Sequence, residues 1–475
     1  MKKTNIFFLI IFVYLLSRTL PACAEWNYTF IPTASLNLEY DSNIFFTQRD
    51  KKNDFNYQGE VTLPFHAVSP KTDLSLSYRS SRFQYKSETQ ANYGNHFIAF
   101  GATHTFSPRF SVSLKDNYSI TKDSDRVFRS GSIAGETGII AERSKRKSNS
   151  VTGGVHYSLT KRSSLSLSGT NTFYRYSNDL QYDSKTNGGS ITYNYVFTPK
   201  NRFFTTVTYF DSDYSRDSRQ LSENAVYAGI SPFLEELLFN SEFDRARNTS
   251  AYVGITHHFS PTLETTLYAG ARKTKNTTLN LHLQKSLGNV TIRNAAPNTF
   301  VQYAVTDPVT GATNTYHQPS DAKGNLTIPN AEITATNASD RTSGMVYNLS
   351  ITKTFILSTL TLAFDQDVTS RTTYGGTSVR QGYNVSYTYR FSDRLSAYVN
   401  GRFDKNTQES DVRNDQYKTY RLGIGGNFAV TRNFSTRFSW NHTKQKRDLQ
   451  GTKSIDKTGR DVLLLSFTYA WPLVH

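Results

Sequence analysis

Phe391-Ser-Asp-Arg-Leu-Ser-Ala-Tyr-Val-Asn-Gly-Arg-Phe403 is the stretch that decides the fold. It opens with a short turn, Ser392-Asp-Arg394, set between an aromatic and an aliphatic residue. It then alternates. Leu395, Ala397, Val399, Gly401 and Phe403 fall on one face, and Ser396, Tyr398, Asn400 and Arg402 on the other. A period of two is that of a β-strand with one apolar and one polar face.

The same module recurs at His66-Ala-Val-Ser-Pro-Lys-Thr-Asp-Leu74, Phe106-Ser-Pro-Arg-Phe110, Leu159-Thr-Lys-Arg-Ser-Ser-Leu165, Phe197-Thr-Pro-Lys-Asn-Arg-Phe203, Phe259-Ser-Pro-Thr-Leu263, Phe355-Ile-Leu-Ser-Thr-Leu360 and Phe428-Ala-Val-Thr-Arg-Asn-Phe434. With Phe391–Leu395 that makes eight copies. Each joins two alternating runs, and a longer polar stretch follows before the next copy. Short connections on one side and long ones on the other mark a transmembrane antiparallel up-and-down β-barrel. Eighteen strands are predicted between residues 28 and 472, with sixteen as the alternative count. An even number puts both ends of the barrel on the periplasmic side, with the eight turns, and sends nine loops outside. The longest loops are expected at 121–146, 217–246 and about 278–341, the last folding as a small β-rich cap. Pro232–Phe239 is expected to form a helical turn or two within the second.

Faces follow from the alternation. Tyr420, Leu422, Ile424, Gly426 and Phe428 are expected toward lipid, as are Leu463, Leu465, Phe467, Tyr469 and Trp471. Aromatic residues beside the short turns read as an interfacial girdle.

Bulk properties agree. Residues 1–24 read as a secretory signal: Lys2 and Lys3, an apolar run Ile6–Leu16, and Ala22-Cys-Ala24 at a cleavage site, the alternative being a lipoprotein box, Leu20-Pro-Ala-Cys23, with a lipid on Cys23. That leaves 25–475 as the barrel and removes the single cysteine, so no disulfide or thiol chemistry is expected. The net charge of +16 loses three cationic residues and becomes +13. Mean hydropathy is −0.53 although aromatics make up 14% of the chain, as expected where only alternate residues meet lipid. The chain is read as an outer-membrane protein of a Gram-negative bacterium. Its partners are outer-membrane lipid and the barrel assembly machinery, and nucleic acid is not among them, since no basic tract stands out.

No catalytic residues are assigned, because the ten histidines have no spacing that ties them to a nucleophile. No cofactor is expected and no metal site is assigned. The acidic pairs Asp123/Asp125 and Asp211/Asp213 are read as solvated turns. The inward set carries the functional interest: Arg79, Lys115, Tyr174, Tyr268, Arg272, Arg390, Tyr398, Arg402, Arg421 and Arg437, accompanied by Glu39, Glu60, Asp365 and Asp404. Charged groups across a water-filled pore orient polar solutes, and tyrosine faces suit sugar rings.

Ser35-Leu-Asn-Leu-Glu-Tyr-Asp-Ser-Asn-Ile-Phe45 resembles the opening strand of outer-membrane β-barrel proteins found with exosortase and exopolysaccharide gene clusters. Phe391-Ser-Asp-Arg-Leu-Ser396 and Leu114-Lys-Asp-Asn-Tyr118 resemble the same group. The resemblance implies passive export of a polysaccharide chain received from a periplasmic polysaccharide-export protein, and it brings no catalytic residues. The readings kept beside it are a general or anion-preferring diffusion porin and a structural or adhesive surface barrel.

Overall fold

In the computed structural model, the residues described are 25–46, 50–122, 145–177, 183–215, 242–285, 290–292, 300–306, 313–319, 326–328, 331–370, 377–408, 416–448 and 455–471. The signal segment, Pro232–Phe239 and the Asp123/Asp125 pair lie outside them.

Eighteen strands close a barrel. They are β1 (Thr33–Asp41), β2 (Asp54–Val68), β3 (Thr72–Tyr85), β4 (Tyr93–Ser107), β5 (Phe110–Thr121), β6 (Arg146–Ser158), β7 (Ser163–Tyr176), β8 (Asp183–Thr198) and β9 (Asn201–Ser215). Then follow β10 (Glu242–Ser260), β11 (Leu263–Lys285), β12 (Ala331–Thr354), β13 (Ser358–Ser370), β14 (Thr377–Arg390), β15 (Leu395–Gln408), β16 (Gln416–Ala429), β17 (Phe434–Asp448) and β18 (Ile455–Ala470). Each pairs antiparallel with its chain neighbour. The first pairs with the last from Thr33↔Ala470 to Asp41↔Val462, so no barrel edge is left open.

The eight short turns all fall at one end. Ser and Thr hydroxyls fix them by accepting backbone N–H bonds: Ser392 Oγ takes Leu395 N at 3.1 Å, and Thr431 Oγ1 takes Phe434 N at 3.0 Å. This is the local bonding that makes these residues turn formers.

Two boundaries differ from the sequence reading. The opening strand is broken at Pro32, which lacks the N–H that would continue the ladder. Asn27–Phe30 and Thr33–Asp41 therefore pair separately with β2. The long insertion is also shorter than 278–341. Strand β11 runs on to Lys285 and pairs there with Ala331 of β12. Leu279, Leu281 and Leu283 keep the strand alternation, so the hairpin continues past the expected loop boundary. Within the remainder Phe300–Thr306 pairs with Thr313–Pro319, and Val290–Ile292 with Leu326–Ile328.

The apolar face points outward. Val253 and Met345 are 64% and 65% exposed, and Leu36, Leu267, Val399, Leu422, Ile424 and Leu465 are exposed with them. On the long-loop side, outward rings pack across five adjacent strands in one row: Tyr347, Phe364, Tyr383, Phe403 and Tyr420, with neighbouring centroids 4.6–5.8 Å apart. On the turn side Phe106, Phe110 and Tyr157 form a similar group. Two aromatic levels with aliphatic residues between them match the hydrocarbon layer and its two interfaces. No helix among the described residues is long and apolar enough to cross a membrane; the strands do the crossing.

Candidate functional site

The lumen wall is the candidate site, and it has two unlike sides. From β5 to β11 it is a ladder of paired hydroxyls. Ser119 and Ser148 lie 2.7 Å apart, Ser150 and Thr172 2.9 Å, Thr152 and Thr170 3.1 Å, Ser168 and Ser190 2.7 Å, and Thr192 and Thr206 3.0 Å. Each pair joins directly opposed residues, so small hydroxyl side chains satisfy one another along the wall.

From β11 round to β1 the wall is ionised. Arg380 Nη2 donates to Asp365 Oδ2 at 2.6 Å, and Arg402 Nε to Asp404 Oδ2 at 2.8 Å. Arg460 Nε donates to Asp41 Oδ1 at 2.8 Å, and its Nη2 holds the second oxygen. That last pair is fully buried and bidentate, and it ties the last strand to the first. Arg402 stands directly opposite Arg421. Arg437 Nη2 donates to the Tyr398 hydroxyl at 3.0 Å.

Inward glycines make room for these large groups. A Cβ on Gly425 would stand 2.5 Å from the Tyr398 hydroxyl, and one on Gly344 would stand 2.8 Å from Arg272 Nη2. The side chains therefore lie along the wall, over glycine.

The register assigns each sequence-predicted residue a place. Arg79, Lys115, Tyr174, Tyr268, Arg272, Tyr398, Arg402, Arg421 and Arg437 all alternate with lipid-facing neighbours and stand inward. Arg390 sits lower, at the turn rim, where it pairs with Asp393 at 2.6 Å. Arg79 and Lys115 are exposed on the inner surface, away from the Arg380, Arg402 and Arg460 pairs, and Arg79 lies over the Phe97 ring at 4.2 Å. Tyr268 stacks on Tyr252 with centroids 4.6 Å apart, and Phe204 meets both edge-on. Asp211 and Asp213 differ from the turn reading. They face outward on a strand and pair with Arg245 and Arg247. Among the described residues no group of His, Cys, Asp and Glu could hold a metal ion.

Burial divides the lumen along its length. Toward the long loops the inward residues Glu39, Asn56, Ser81, Arg272, Asn276, Asp404, Asn406, Thr419 and Arg460 are buried. Toward the turns Ser75, Arg79, Lys115, Asn427 and Arg437 are exposed. The large inward side chains are thus crowded in the outer half and more exposed below, where buried inward residues such as Thr206, Thr256 and Ser439 are small. The Tyr40–Phe45 segment contributes to the crowding. Asn43 N donates to Asp41 Oδ1 at 3.0 Å, its amide reaches Gly459 O at 3.0 Å, and Ile44 packs with Phe83, Tyr85 and Tyr93. The sequence marks this segment as distinctive, but pattern alone does not reveal that it folds inward.

A closed barrel with a girdled apolar exterior and a polar interior fits only one setting. The chain is a multi-pass outer-membrane β-barrel. No protein family's sequence profile matches it, and no curated protein does. Among solved structures it is similar to the outer membrane protein OpdK from Pseudomonas aeruginosa, with a TM-score of 0.42 and 8% identity over 93% of this chain and 99% of that one. OccK2 (OpdF) from the same organism gives 0.44 and 8% over 94% and 98%. The siderophore receptor PirA from Acinetobacter baumannii gives 0.42 and 9% over 93% and 80%. None of these likenesses assigns a solute to this chain.

Proposed function

We propose that the barrel is a passive diffusion channel for small anionic solutes. The observation that carries this reading is the ionised wall at the crowded level of the lumen. A solute passing there moves beside Arg380, Arg402 and Arg421, in a space already narrowed by buried side chains, and meets Arg437 below it. Asp365, Asp404 and Asp41 on this wall are paired with arginines, while Arg79 and Lys115 present cationic heads to the half below. Confined charge of one sign raises the local concentration of the opposite sign. Crowded inward side chains in the outer half favour small solutes over an extended polymer.

The test is single-channel recording in planar bilayers under a KCl gradient, with small carboxylates and phosphates then added on one side. The proposal expects a reversal potential of chloride sign and block by the anions. A cation-selective pore would refute it.

Passive export of an exopolysaccharide, handed over by a periplasmic partner, is the second reading. The inward Tyr252–Tyr268 stack favours it, because ring faces suit sugars. A deletion strain separates the two: lost surface polysaccharide with normal anion uptake supports export, and the reverse supports the diffusion channel.

A further inference from the structure

The outward face carries a row of lysines that the conduction reading does not use. Register places Lys405 opposite Lys418, Lys418 opposite Lys446, and Lys446 opposite Lys457, on the four adjacent strands β15 to β18. Lys444 lies one outward position from this row, opposite Tyr420. Lys405, Lys418, Lys444 and Lys446 alternate with the buried inward residues Asp404, Asn406, Thr419 and Gln445, and Lys457 stands on the same face directly opposite Lys446, so the row points away from the lumen. Among the described residues none of the five forms an ion pair, and the partner the structure gives any of them is the Tyr420 ring, 5.7 Å from Lys446 Nζ.

Like charges directly opposed on adjacent strands oppose pairing. A second outward basic cluster is treated differently. There Arg245 and Arg247 share Asp211, and Arg245 also reaches Asp213. Among the described residues the lysine row has no such neutralising carboxylate, which leaves it open to a counter-charge from outside the chain.

Its height says what that counter-charge is. Lys405 stands ten residues above Leu395, and Lys418 ten above Phe428; Lys446 and Lys457 stand twelve above Phe434 and Tyr469. At about 3.3 Å per residue and a strand tilt near 40°, that is a rise of about 25–30 Å, the height of the apolar band. The row therefore lies just past the outward rings of Phe403 and Tyr420, where acyl chains end and head groups begin.

We infer that Lys405, Lys418, Lys446 and Lys457, with Lys444, form a binding site for the phosphate groups of a phosphorylated glycolipid in the outer leaflet. The chains of such a lipid would lie on Val399, Leu422, Ile424 and Phe438, and its phosphates would bridge lysines on neighbouring strands. The inference stands apart from the choice of solute, since the row faces lipid and not the lumen.

The experiment uses the whole refolded barrel in a neutral detergent, titrated with diphosphoryl lipid A and read by native mass spectrometry. Parallel arms use the same glycolipid with both phosphates removed, and inorganic pyrophosphate as competitor. A lysine near an anionic surface contributes about 1 kcal/mol, or about fivefold in affinity, so K418Q/K446Q should weaken diphosphoryl lipid A by about 25-fold. The phosphate-free lipid should bind the wild type no better than it binds this variant. Equal binding of diphosphoryl lipid A to both proteins overturns the site. So does equal binding of the two lipids to the wild type. Complete displacement by pyrophosphate would make it a free-anion site and overturn the lipid assignment. Heat-modifiable mobility on gels reports whether the variant folds; if it does not, the two-lipid comparison on the wild type still decides. Channel conductance should be unchanged in the variant, so failure here leaves the conduction proposal standing, and the converse.

Discussion

The two sides of the lumen solve one problem in different ways. Both must line a water-filled space with polar groups while the backs of the same strands meet lipid. The β5–β11 side does it with short hydroxyls that bond their direct neighbours, as Thr152 does with Thr170. Every such pair is neutral, local and interchangeable. The β11–β18 side does it with long ionised groups that must find particular partners: Arg380 with Asp365, Arg402 with Asp404, and Arg460 with Asp41. Apart from Lys115 on β5, the hydroxyl side is therefore generic wall, and the ionised side is where the paired charges and the closure of the barrel reside.

The largest effect should come from breaking the buried pair at the seam. Asp41→Ala removes the bidentate carboxylate from buried Arg460, at a cost of about 3–5 kcal/mol. Heat-modifiable mobility should show a folded fraction that melts well below wild type. Unchanged melting would mean that the seam does not depend on this pair. Next, the ionised side can be probed from behind. Leu465 of β18 faces lipid, and Leu465→Arg should cost about 2–4 kcal/mol near the midplane and block assembly. Ser396→Arg, on the inward face of β15, should assemble normally. Equal assembly of the two would overturn the face assignment. The smallest effect belongs to the hydroxyl side: Thr152→Ala should cost about 0.5–1 kcal/mol, with single-channel selectivity unmoved. A selectivity change there would erase the distinction between the two sides.

How much of this the sequence showed depends on the length scale of each feature. The barrel, its faces and the ends of most strands were legible because they rest on a period of two and on eight turn modules, both local. Inward placement of Arg402 and Tyr398 follows from that period alone. Which groups meet does not. The Arg460–Asp41 contact spans 419 positions and depends on which strand closes against which. The inward fold of Asn43 and Ile44 depends on the aromatic side chains of β3 and β4 that receive it. The reach of β11 to Lys285 was missed because Asn and Thr between its leucines resemble a loop. The lysine row is visible only once register is fixed, since Lys405, Lys418, Lys446 and Lys457 are unremarkable singly.

The central claim is that the ionised side sets the charge preference of the channel. The most direct measurement is the zero-current potential across a planar bilayer with unequal KCl on its two sides, for the wild type and for R421Q/R437Q. Both substitutions remove inward charge and leave the Arg380, Arg402 and Arg460 pairs in place. The account predicts a potential of chloride sign in the wild type that moves toward zero or past it in the variant. A wild-type potential of potassium sign, or a chloride-selective potential that the variant leaves unchanged, would contradict it.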